Sequence, residues 1–180
     1  MKICLWDIET GSRPWPDLSG HTRKVLTLSF FPDAKSLVSG SSDMTVRIWN
    51  MNTKRCEKVL YGHSDEVNCV AVSPNGQLIA SGGSDGVIFL WDAQTGAQRL
   101  RIHARAPEVF ALVFSPDTKN LLSGGSDHIM RCWDVHTGRE VGHLDSHTGS
   151  IRGLAISPDG LYIASCGDDR TVRLWKREKM

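Results

Sequence analysis

Serine, histidine and aspartate, the three side chains of a charge-oriented nucleophile, recur along this chain in a fixed order. His21, Ser39 and Asp43 return as His63, Ser81 and Asp85, and again as His147, Ser165 and Asp169. A hydroxyl, a base to take its proton and an acid to orient that base are the parts of acyl-transfer catalysis. Such catalysis needs one constellation over one substrate cavity. Here the set is repeated at even spacing, and each copy ends in a tryptophan. Trp49, Trp91, Trp133 and Trp175 lie 42 residues apart, as do Asp43, Asp85, Asp127 and Asp169. Repetition therefore favours a structural role, in which the polar groups satisfy one another out of contact with water. An unpaired buried polar group would cost about 1–3 kcal/mol.

The third copy differs. Its matching residues are Arg105, Ser123, Asp127 and Trp133, and Ala104-Arg105 stands where the other copies have Gly-His or Ser-His. Arginine can donate to Asp127 but cannot accept from Ser123, because a guanidinium has no acceptor. A broken or rearranged network is expected there, in a locally softer unit.

Little other chemistry is written in the chain. It holds no glycine-rich phosphate loop between strand and helix and no metal-ligand spacing. The five cysteines have no Cys-x-x-Cys pair, so neither a disulfide framework nor a zinc site is expected. Cys69, Cys132 and Cys166 fall in apolar or small slots of the repeat and read as small buried side chains. No cofactor and no metal are expected. Arg47, Arg131 and Arg173 share one slot, broken by Phe89, and read as a solvated strand face, with a stripe for an acidic partner as the lesser reading.

The elements that position these groups are short and β-rich. Alternating apolar runs such as Val67 to Val72 lead to proline turns: Phe31-Pro32-Asp33, Ser73-Pro74-Asn75-Gly76, Ser115-Pro116-Asp117 and Ser157-Pro158-Asp159-Gly160. A second run, an Asp-containing turn, a third run ending in Trp and a turn such as Thr95-Gly96 follow. The pattern predicts four antiparallel strands per unit, a to d from inside outwards, with no helical period. A period of about 40–45 residues with a Trp-Asp pair points to propeller blades.

The Gly-His dipeptide, the Ser-Pro-Asp/Asn turn and the Asp six residues before Trp resemble the WD-repeat β-propeller family over essentially the whole chain. The resemblance implies an all-β toroid of four-stranded antiparallel blades acting as a non-catalytic scaffold. It also implies hydrogen bonds from Asp to His, His to Ser and Ser to the Trp indole. About four blades are expected in one domain spanning 1–180, with repeats at approximately 1–18 (partial), 19–60, 61–102, 103–144 and 145–180. Trp49-Asn50 and Trp175-Lys176 depart from Trp-Asp. The strand tally is c and d, three full sets, then a, b and c, which predicts a partial ring or one completed by a second copy.

Antiparallel connection puts the d–a loop and the b–c turn of each blade at one end. Val25, Val67, Val109 and Ile151 are the expected buried residues at the start of strand a. Their neighbours are Lys24 and Leu26, Glu66 and Asn68, Glu108 and Phe110, and Ser150 and Arg152. The b–c turns add Ser42, Ser84, Ser126 and Asp168. In the family, positions like these ring the channel mouth and contact partners. Phe110 and Arg152 are the expected hot-spot pair, since aromatics and arginine are enriched at such spots. Trp15, flanked by Pro14 and Pro16, suits an edge or irregular segment.

Composition sets the outer bounds. With 21 Lys plus Arg against 20 Asp plus Glu, the chain has no basic excess for nucleic acid or an anionic membrane surface. No apolar run approaches the roughly 20 residues that span a bilayer, and the N-terminus lacks a signal peptide's apolar region. A cytoplasmic protein is expected, with the nucleus as a second compartment. The expected partners are proteins or peptides, with self-association to complete the ring as a further expectation. The other functional reading is a regulatory or sensor segment of a larger multidomain signalling protein or enzyme.

Overall fold

The computed structural model describes residues 1–145 and 147–176. Seventeen strands fill them, and no helix occurs among the described residues. The strands form five separate antiparallel sheets. First comes a two-stranded ribbon, β1 (Lys2–Ile3) with β2 (Leu18–Ser19). Three four-stranded sheets follow, each laid down as a simple meander. They are β3 (Val25–Phe30), β4 (Ser36–Ser41), β5 (Thr45–Asn50) and β6 (Arg55–Tyr61); then β7 (Val67–Val72), β8 (Leu78–Gly83), β9 (Val87–Asp92) and β10 (Gln98–His103); then β11 (Val109–Phe114), β12 (Asn120–Gly125), β13 (Ile129–Asp134) and β14 (Glu140–Asp145). The last sheet has three strands, β15 (Ile151–Ile156), β16 (Tyr162–Gly167) and β17 (Val172–Lys176). This is the strand tally the repeat predicts, and the sheets are not closed into a ring. The final stretch 177–180, where the fourth strand of the last unit was expected to be missing, lies outside the described residues.

Adjacent sheets pack face to face through their strands a and b. The second strand of each sheet carries a glycine because the next sheet presses a branched side chain onto it. A Cβ at Gly40 would lie 2.6 Å from Val67 Cγ1, at Gly82 2.6 Å from Val109 Cγ1, and at Gly124 2.5 Å from Ile151 Cγ2. These approaches are closer than carbon atoms tolerate, so glycine is required. Val67, Val109 and Ile151 are accordingly buried, as expected, while Val25 is only half-buried because no such glycine precedes it.

The core is divided among the junctions rather than pooled. Val38, Val46 and Ile48 of the first full sheet meet Val67, Val70 and Ile79 of the second. Ala80, Ile88 and Leu90 of the second meet Val109, Phe114 and Leu121 of the third. Each unit therefore buries its apolar faces only against its neighbours, as stacked repeats do. The two outer faces are less well covered: Leu28 and Phe30 on β3, and Val172 and Leu174 on β17, are exposed.

The cysteines depart from expectation in part. Cys69 is buried, and burial raises its thiol pKa beyond the ordinary range. Cys132 is half-buried, while Cys166 is exposed because no following sheet covers its slot.

Candidate functional site

Three of the four repeated polar sets close as continuous networks. His21 Nδ1 donates to Asp43 at 2.8 Å, and its Nε2 lies 2.7 Å from Ser39 Oγ, which accepts the Trp49 indole N–H at 2.8 Å. In the second full sheet His63, Asp85, Ser81 and Trp91 repeat the pattern, with His–Ser at 2.8 Å and Trp–Ser at 2.9 Å. In the last sheet His147 bridges Asp169 and Ser165, and Trp175 donates to Ser165 at 3.2 Å. With Nδ1–H on aspartate, Nε2 accepts the serine proton, and every donor and acceptor is used.

The three histidines and their serines are buried, so none presents a nucleophile to a substrate. Burial lowers the pKa of His21 and His63 despite the pull of their aspartates, which keeps both imidazoles neutral. Burial alone would raise Asp43, but bonds from the Thr45 hydroxyl, the Thr22 N–H and His21 hold its carboxyl well below the usual range. The aspartate thereby ties the d–a loop to the b–c turn.

The third set is rearranged, as expected, though through a residue other than Arg105. Arg105 is exposed, has a positive φ of 58°, and reaches Glu140 at 3.4 Å. Arg131, on β13, is buried and donates to Asp127 at 2.5 Å. Its Nε also lies 3.7 Å from Glu140. Trp133 still donates to Ser123 at 2.8 Å. The shared arginine slot is thus not a solvated strand face: Arg47 and Arg173 are half-buried and Arg131 is buried. At the Trp-Asp departure, Asn50 takes over the turn role, accepting the Thr53 N–H at 2.9 Å as Asp134 accepts that of Thr137 at 2.8 Å.

The ring of expected contact residues is organised by a feature the sequence did not announce. Strand a of every full or three-stranded sheet carries a β-bulge in its pairing with strand b. Val25 faces Ser41 and Thr27 faces Gly40, leaving Leu26 without an opposite partner. The same shift isolates Asn68, Phe110 and Arg152. Bulges re-aim side chains, and here they set one residue per sheet at the d–a and b–c end. Beyond the bulge the side chains change face: Val67 and Val70 pack with the first full sheet, whereas Cys69 packs toward the third.

Each expected residue can now be placed. Lys24, Leu26, Arg152 and Asp168 are exposed; Glu66, Asn68, Ser84, Glu108, Phe110, Ser126 and Ser150 are half-buried. Ser42 differs from the expectation of an exposed turn residue: it is buried, whereas Ser84 and Ser126 at the same place are half-buried and Asp168 is exposed. Several others are occupied within the fold. Asn68 donates to Ser84 Oγ at 2.9 Å and to the Val109 carbonyl at 3.3 Å, and Ser126 Oγ accepts the Glu108 N–H at 3.0 Å.

Phe110 and Arg152 do come together. The Arg152 guanidinium carbon sits 4.0 Å from the Phe110 ring centroid, across the junction between two sheets. Asp168 grips the same guanidinium at 3.0 Å through Nε and 2.8 Å through Nη2. That bond lowers the Asp168 pKa and raises that of Arg152. Stacked on one side and clamped along one edge, the arginine is held in place while still exposed.

Four successive units, three of them closed by the same Asp–His–Ser–Trp network, match the family model described as "WD domain, G-beta repeat" at residues 13–50, 54–92, 97–134 and 138–176. The chain belongs to the WD40 repeat family. Proteins similar to parts of it include Protein HIRA of Zea mays, 54% identical over 41 residues, which are 23% of this chain and 4% of that protein. The Notchless protein homolog of Arabidopsis thaliana is 51% identical over 37 residues, 21% of this chain and 8% of that one. Eukaryotic translation initiation factor 3 subunit I of Neosartorya fischeri is 39% identical over 57 residues, 32% and 16% respectively. The matched stretches therefore span less than a fifth of these curated relatives. WD40 repeats generally mediate protein–protein interaction.

Proposed function

We propose that this WD40 chain is a non-catalytic scaffold that binds a protein or peptide on the end of the sheets formed by the d–a loops and b–c turns. The observation that carries the reading is the Phe110–Arg152–Asp168 group. An exposed arginine is held rigid across two sheets by a ring and a carboxylate. Pre-organisation of this kind lowers the ordering cost of binding, and aromatic and arginine side chains are the common centres of interface energy. The partners of such a surface are proteins or peptides rather than nucleic acid, given the near balance of 21 basic and 20 acidic residues.

The test compares proteins recovered on immobilised wild type with those recovered on a Phe110→Ala, Arg152→Ala double variant. A Lys119→Ala control sits at the opposite end of the same sheet. Partners retained by wild type and the control but lost by the double variant support the reading, provided circular dichroism shows the variant folded. Equal recovery by all three removes this face as the site.

The exposed outer faces, carrying Leu28 and Phe30 at one end and Val172 and Leu174 at the other, favour a second reading. In it the chain is a regulatory or sensor portion of a larger propeller-containing protein. A longer transcript that encodes further repeats in frame would support that organisation.

A further inference from the structure

We infer that the outer edge of β10 is a second docking surface, which takes an extended acidic segment of a protein partner as an added strand. This edge lies on the rim of the second full sheet and is independent of the binding face proposed above.

β10 is the outermost strand of its sheet and pairs only with β9. In an antiparallel ladder, successive residues direct their main-chain groups alternately toward the partner strand and away from it. The Ala104 N–H donates to the Gly86 carbonyl at 2.9 Å, and the register continues with Ile102 opposite Ile88 and Leu100 opposite Leu90. Those residues direct their N–H and C=O groups to β9. Arg101 and His103, which alternate with them, turn theirs to the open side, where no strand lies among the described residues.

Side chains on the same strand select what can pair there. Arg99, Arg101 and His103 are exposed and alternate with Leu100 and Ile102, which pack toward the third full sheet; Arg105 extends the series past the end of the strand. Lys58 of the preceding sheet adds a cation beside Gly96, in the turn that leads into β10. Arg99 is neutralised by Asp92 and Arg105 by Glu140, whereas Arg101 and His103 form no ion pair among the described residues. The reason lies on β9. Phe89 fills the slot that Arg47 and Arg131 occupy on the equivalent strands, and the Arg101 guanidinium carbon rests 6.0 Å from its ring centroid. A ring face attracts the cation while leaving its in-plane N–H groups free to donate.

The other two rim strands lack this array. At the places of Arg99, Arg101 and His103, β6 has Glu57, Val59 and Tyr61, and β14 has Val141, His143 and Asp145. Like charges on facing strands repel, so the array guards this edge against a second β10. A strand with Asp or Glu at alternate positions gains a main-chain ladder and opposite-charge cross-strand pairs together. Its intervening residues lie on the side of Leu100 and Ile102, against which Gly138 of the next sheet packs, so small or apolar side chains fit there. Nucleic acid would meet the charges but offers no peptide ladder to the main-chain groups of Arg101 and His103.

The probe is a fluorescein-labelled peptide of alternating glutamate and valine, titrated with the intact chain and followed by anisotropy. A lysine–valine peptide of equal length is the control. The glutamate peptide should bind and the lysine peptide should not. Arg101→Gln with His103→Gln should weaken binding about tenfold, whereas Arg101→Lys with His103→Lys should retain it. Phe110→Ala with Arg152→Ala should bind as wild type does, which separates this edge from the face proposed above. Amide hydrogen exchange of the wild type, read by NMR, gives a measure that depends on no variant's folding. Bound peptide should slow the Arg101 and His103 amides and leave that of Ile102 unchanged. Absence of binding, or binding that leaves the Arg101 and His103 amides unprotected, overturns the inference. Loss of binding in the Phe110 and Arg152 variant overturns it in favour of the other face. Tighter binding of a single-stranded oligouridylate of equal charge, without amide slowing, overturns it in favour of nucleic acid.

Discussion

Gly153 and Cys166 face each other across β15 and β16 in the position where Cys69 faces Gly82 across β7 and β8. The cysteine has changed strands and the glycine has changed with it. In the second full sheet the next sheet's Val109 needs the glycine, whereas in the last sheet no following side chain presses there.

The two members of this exchange should respond oppositely to substitution. Gly82→Ala places a Cβ 2.6 Å from Val109 Cγ1 and 2.9 Å from Cys69 Sγ, and overpacking of this kind costs about 1–3 kcal/mol. Cys166→Ala changes an exposed side chain and should stay within about 0.5 kcal/mol. Urea midpoints compare them, and equal losses would show that the inner junction can relax around a methyl group.

Serine is the hinge of each polar network, since its oxygen accepts from Trp and donates to His. Ser81→Ala leaves the Trp91 N–H and the His63 Nε2 both unpaired in a buried site. Ser123→Ala strands only the Trp133 N–H, because no histidine stands there. Each stranded group costs about 1–3 kcal/mol, so the first substitution should destabilise more than the second in equilibrium unfolding.

Arg131, rather than Arg105, holds Asp127. Arg131→Leu therefore leaves Asp127 without its ion pair in a partly buried setting, at a cost on the order of 2 kcal/mol. Arg105→Ala removes an exposed contact to Glu140 and should cost less than about 1 kcal/mol. The sequence reading made the third unit the soft one, but Trp133 is buried with a bond of 2.8 Å, whereas Trp175 is half-buried at 3.2 Å. Indole hydrogen exchange should be fastest at Trp175, and a faster Trp133 would return the weakness to the third sheet.

Much of this architecture was legible because it is repeated. A period of 42 residues with its strand and turn signals indicated four strands per unit, and three copies of Ser, His and Asp argued against a private active site, while the hydrogen-bond partners of His21, Ser39, Asp43 and Trp49 came from the family resemblance. Repetition also hides what differs. Arg105 occupies the histidine's position in the count, but its backbone turns it outward, and Arg131, two residues before Trp133, enters instead. The bulge at Leu26, Asn68, Phe110 and Arg152 leaves no residue-type signature: a leucine, an asparagine, a phenylalanine and an arginine take the same place. Exposure of Cys166 depends on whether a sheet follows, and a linear pattern does not carry that.

The histidine networks make stability depend on pH with a definite sign. His21 and His63 have pKa values lowered by burial, so near neutrality they bind fewer protons folded than unfolded. Stability then rises with pH wherever the unfolded chain holds the extra protons. Their contribution is complete above about pH 6.5, the ordinary histidine value, and drains away as pH falls below it toward their lowered folded values. Asp43 is also lowered and acts in the same direction, but its loss begins only below about pH 4, the ordinary aspartate range. Between these limits the slope belongs to the histidines. Thermal midpoints measured from pH 7.5 to 4.5 should fall progressively in wild type. A His21→Gln, His63→Gln variant, less stable at pH 7.5, should show a flatter profile over the same interval. A variant profile as steep as wild type would assign the slope to other groups.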